Sequence, residues 1–106
     1  MNRAHAAFVE SLNAFRKLVG QRDPKADSRA ALAAAERGIN DIQDIPKISE
    51  EIDHWRAELL EVLTEQRDII NRFAAMKEKN WTEIDRQEAA LLQKARDAKL
   101  IKSAGE

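Results

Sequence analysis

The sequence predicts an all-α fold, a helical hairpin or four-helix arrangement around one long central helix, expected to oligomerise. Three observations lead there. Apolar residues recur at alternating steps of three and four along most of the chain, the period of amphipathic helices. Charged residues make up 35% against only three Gly and two Pro, the composition of long charged helices rather than of a β-sandwich or a disordered tail. At 106 residues the chain holds one domain, 1–106, and is too short for two cores.

Helix 1 is expected over 2–20, where Phe8, Leu12, Phe15 and Val19 form one stripe and Gly20 supplies a stop. Asp23-Pro24 reads as an N-cap with proline in the first turn, so helix 2 is placed over 24–44, with Ser28 as an alternative cap. Its stripe is Leu32, Ala35, Ile39 and Ile42, set among small alanines that permit close approach. Gly38 within it costs roughly 1 kcal/mol against alanine, so it serves tight packing or marks a break. Ile45-Pro46 ends this helix, because proline disfavours the α conformation just before it.

Helix 3, over 49–79, starts at Ser49, with Glu50, Glu51 and Asp53 on the positive end of its dipole. Its seam runs Ile52, Trp55, Leu59, Val62, Gln66, Ile69, Phe73 and Met76, widened by Leu60, Leu63 and Ile70. Gln66 is the polar break. It either sets register or oligomer state, as buried polar residues do in coiled coils, or faces solvent at a kink. Asn80 with Glu83 resembles a capping box, which places a tight turn before helix 4 at 81–102. Trp81 at this turn is read as a staple locking the hairpin, or else as an exposed interface anchor.

Candidate chemistry is sparse. Without cysteine there is no disulfide, thiol nucleophile or zinc ribbon. Neither His5 nor His54 stands in a nucleophile motif, and no glycine-rich phosphate loop exists, so no enzyme activity and no cofactor are expected. Glu51-x-x-His54, with Glu58 one turn on, has the spacing that gives a metal a carboxylate and an imidazole from one helix face, but it reads better as a solvated helix start. No signal peptide or membrane span is legible, so a soluble, cytoplasmic protein is expected.

A net charge of −1 supplies no field for steering a polyanion. Arg22, Lys25 and Arg29 are the cations of the alternative, a DNA-binding reading in which Ala34-x-x-x-Gly38-Ile39 forms a helix-turn-helix. The segment that would then enter the groove, 40–44, carries two aspartates and no basic residue, which disfavours it.

Residues 75–92, Ala75-Met76-Lys77-Glu78-Lys79-Asn80-Trp81-Thr82-Glu83-Ile84 through Glu88 to Leu92, resemble the helix, tryptophan turn, helix hairpin of flagellar export chaperones. An N-terminal helical unit followed by a long helical hairpin is similar to phage small terminase subunits, whose hairpins oligomerise into rings. Both resemblances imply a helical protein that works by binding.

The functional expectation is a non-enzymatic helical interaction module, such as an adaptor, assembly factor or export chaperone. Its interface residues would be Leu59, Leu63, Gln66, Ile70, Phe73 and Trp81, and its partner another copy or a client helix. The premise is that helix 3 is apolar over more length than its own chain can cover.

Overall fold

The computed structural model describes residues 2–44 and 49–101. Four helices follow in order: α1 (Asn2–Gly20), α2 (Arg29–Gln43), α3 (Glu50–Ala75) and α4 (Trp81–Asp97), with no strand among the described residues. Successive helices run antiparallel. Arg37 of α2 reaches Glu10 of α1, Arg56 of α3 reaches the Ile42 carbonyl of α2, and Lys94 of α4 reaches Glu65 of α3.

In cross-section the bundle is a flattened rhombus. α1 touches all three other helices and α3 does too, whereas α2 and α4 do not meet. α1 and α3 therefore form the short central diagonal, and α2 and α4 the flanks. Overall extents of 45 × 30 × 16 Å reflect that flattening.

One apolar core runs through the bundle. Phe8, Leu12, Phe15 and Val19 from α1 meet Ala31, Ala35, Ile39 and Ile42 from α2, the α3 seam from Leu59 to Phe73, and Ile84, Leu91, Leu92 and Ala95 from α4. Gly38 has a packing reason: a Cβ built there would lie 3.1 Å from a Leu63 methyl. α2 is continuous through it, so the alternative reading's helix-turn-helix at 34–39 is absent.

Helix ends differ from expectation where local capping overrides periodicity. α1 does reach Gly20, but the left-handed residue after it is Arg22, with φ 51°. α2 begins at Arg29 rather than 24, because Asp23 caps a turn of its own. The Asp23 carboxylate accepts the Lys25 amide and its carbonyl accepts the Ala26 amide. Asp27 likewise takes the Arg29 amide, and Ser28 precedes the helix without a side-chain cap bond.

α3 begins as read, with the Ser49 hydroxyl accepting the Ile52 amide. It ends at Ala75, four residues early, because Lys79 turns back to donate to the Phe73 and Met76 carbonyls. Asn80 caps α4 by accepting the Glu83 amide. Its expected partner goes elsewhere, since the Glu83 carboxylate turns to Arg86 and Gln87. α4 stops at Asp97, short of 102, in a Schellman turn. Lys99 sits at φ 60°, the Leu100 amide donates to the Ala95 carbonyl, and Leu100 is buried. The readings made for Ile45–Ile48 and for the last five residues lie outside the described residues.

Candidate functional site

The expected interface is interior. Leu59, Leu63 and Ile70 are 0% exposed, Gln66 0% and Phe73 2%, so a single copy already covers the stripe that was to present them. α1 and α2 supply the cover: the phenylalanines of α1 fill the central diagonal, and the alanine face of α2 lets that helix come close enough to seal Leu63. Alanine and glycine surfaces bury a neighbour by proximity rather than bulk, which a comparison of apolar lengths does not register. Among the described residues, Val9 at 37% is the one large hydrophobic classed as exposed.

Gln66 is therefore no solvent-facing kink. Its Nε2 donates to the Ser11 hydroxyl across the α1–α3 diagonal, and both side chains are fully buried. Sequence reasoning missed Ser11. The available signal was a serine inside the α1 stripe, beside Leu12 and three residues past Phe8.

Trp81 is half-buried at the turn between α3 and α4. Its ring lies 6.2 Å from that of Phe73, across the turn. Above it stacks the Arg22 guanidinium, 5.1 Å from the ring centre and 2.8 Å from Asp85. That clamp ties the α1–α2 connection to the α3–α4 turn, and it accounts for a non-glycine residue held in the left-handed region, where an L side chain costs energy.

Two of the three cations of the nucleic-acid reading, Arg22 and Arg29, pair with carboxylates of the chain. Arg22 is engaged as described, and its pKa is raised by the Asp85 hydrogen bond. Arg29 grips Asp27 through Nε and Nη2, and that hydrogen bonding pulls the Asp27 carboxyl down to about 2. Lys25 is exposed. Of the metal candidates, His54 Nε2 lies 2.5 Å from Glu58 while Glu51 is exposed. The described residues contain no cluster of three or more histidine or acidic side chains able to hold an ion.

What α3 does leave half-covered lies at its start. Ser11 stands level with Gln66 and α1 runs parallel to α3, so Asn2 stands near the level of Ala57. α4 ends three residues past Lys94, which bridges Glu61 and Glu65 at 2.8 Å each. The first seven residues of α3, Glu50–Arg56, thus project beyond the ends of both helices, with the end of α2 beside them through Arg56. Ile52 and Trp55 on this projection are intermediate in exposure, and Glu50, Glu51 and His54 around them are exposed. Leu60 and Ala57 continue toward an open groove lined further by Thr64 and Lys94.

No described helix is long and apolar enough to cross a membrane. Compared with protein-family models, with curated proteins and with solved structures, the chain matches none of them.

Proposed function

We propose that the chain is a non-enzymatic helical interaction module that receives a partner helix against the projecting start of α3. One observation carries this reading: the half-covered pair Ile52 and Trp55 on a helix end that outruns α1 and α4. A tryptophan of this kind is the side chain that anchors helix-in-groove contacts. Glu51 and Glu58 flank it one turn to either side on α3, so the partner face that fits is basic, with an apolar stripe of its own. The buried stripe from Leu59 to Phe73 takes no part; it holds the platform rigid.

The test is site-specific photo-crosslinking in the native host. A benzoylphenylalanine in place of Trp55 is expected to give one discrete adduct, either of dimer mass or with a single client. The same probe at Thr82, exposed near the opposite end, should give none. Adduct formation at both positions alike, or at neither, overturns the reading.

A further inference from the structure

The apolar stripes of this bundle are poor at specifying their own alignment. α1 offers Phe8, Leu12, Phe15 and Val19, and α3 offers Leu59, Val62, Ile69 and Phe73, all at the same alternation of three and four. Sliding α1 along α3 by a turn sets apolar against apolar again. Only two buried side chains in the described core are polar, Ser11 and Gln66, and they meet each other on the central diagonal.

We infer that the Ser11–Gln66 pair is the register key of the bundle, selecting the observed alignment of α1 on α3 over slipped or exchanged packings. Moving α1 by one turn would put Ala7 or Phe15 opposite Gln66. The buried carboxamide would then lose its partner, and the serine hydroxyl would lose Gln66. An orphaned buried polar group lowers the population of such a state steeply. A single buried polar contact fixes register in the same way in coiled coils.

The key lowers stability in return for uniqueness. Gln66 Oε1 is buried and has no hydrogen-bond partner among the described residues, so even the native alignment carries an unmet acceptor. Stability and uniqueness are thereby separable, which makes the inference testable. The double variant Ser11→Ala/Gln66→Leu removes both polar groups together. Its unfolding equilibrium constant is expected to fall about tenfold, while its amide NMR spectrum broadens or shows more than one set of resonances, or light scattering detects exchanged dimers. Ser11→Thr, which keeps the hydroxyl, is expected to retain one set.

A double variant with one sharp set of resonances and the native α1–α3 distances overturns the inference, since the apolar seam alone would then dictate register. So does a double variant that fails to fold, because the pair would then supply stability rather than specificity. Its outcome is independent of the α3 docking reading, which concerns Ile52 and Trp55, about three to four turns away along the same seam.

Discussion

The two flanks of the bundle are held to α3 by opposite means. α2 approaches through small residues, Ala31, Ala34, Ala35 and Gly38, with Leu63 seated on the glycine. α4 holds its side through long charged arms, with Lys94 reaching both Glu61 and Glu65, and Arg72 reaching Gln87 3.3 Å away. A seam built on proximity gains its energy from dispersion and burial, which are insensitive to salt but unforgiving of volume changes. A seam edged with ion pairs tolerates volume changes at that edge and responds to salt and pH. The α2 flank should therefore be the mechanically critical one and the α4 flank the adjustable one.

The sharpest way to break that contrast is at Leu63. Leu63→Ala should cost about 3–5 kcal/mol, since the side chain is fully buried and the cavity borders a rigid glycine backbone that cannot collapse into it. Gly38→Val approaches the same contact from the other side. Overpacking there should cost about 1–3 kcal/mol, and combining it with Leu63→Ala should recover part of the loss, because the new methyls enter the vacated space. Urea denaturation of the four proteins in the cycle measures the coupling. Strict additivity would show that α2 and α3 do not meet tightly at this point.

Much of this contrast was legible in the sequence. The alanine cluster and Gly38 announced close approach, and the cap residues Ser49 and Asn80 located two helix starts within a residue. What periodicity could not show was which of several short capping motifs would prevail. Asp23 looked like a helix cap and caps a turn, and Lys79 and Lys99 end helices that their apolar spacing would have continued. Coverage was the deeper miss. An apolar stripe states that a face is buried, not whether its cover comes from the same chain. Here Phe8 and Phe15 complete the cover of Leu59 to Phe73, and only the projecting turn with Ile52 and Trp55 keeps the character expected of the whole helix. Ser11 falls within the α1 stripe, three residues past Phe8 and four before Phe15, but its partner emerges only when α1 is laid on α3.

On the α4 flank the expected effects are smaller and depend on conditions. Lys94→Met keeps the aliphatic stem and deletes the ammonium, whose pKa is raised by its hydrogen bonds to Glu61 and Glu65. Each pair is solvent-accessible, so the loss should be about 0.2–1 kcal/mol per pair in low salt. At 1 M salt, where the screening length is about 3 Å, most of the difference should vanish. A loss that persists undiminished would mean that the ammonium is held in a desolvated site, and the α4 seam would then resemble the α2 seam more than the ion pairs suggest.

Glu88 sharpens the comparison with the smallest effect, and its sign is opposite. Its carboxyl lies partly buried on the α1-facing side of α4, and that burial pushes its pKa above the ordinary 4.5, while Arg16 and Arg22 pull it down and Asp85 pushes it up. The folded state thus holds this proton more tightly than the unfolded chain, so the contribution of Glu88 to stability falls as pH rises through 4.5 and the charge must be carried half-desolvated. Glu83 behaves in the reverse way. Hydrogen bonds from Arg86 and then Gln87 draw it down to about 2, so its contribution is present above 4.5 and is lost on acidification toward 2. Glu88→Gln should accordingly stabilise the protein at pH 7, by under about 0.5 kcal/mol for so accessible a site, and change nothing at pH 3, where both states of the parent are protonated. Thermal melts of the two proteins at the two pH values read this directly. Destabilisation at pH 7 would show that the Arg16 and Arg22 attraction outweighs desolvation, and that α4 is tied to α1 by charge as it is to α3.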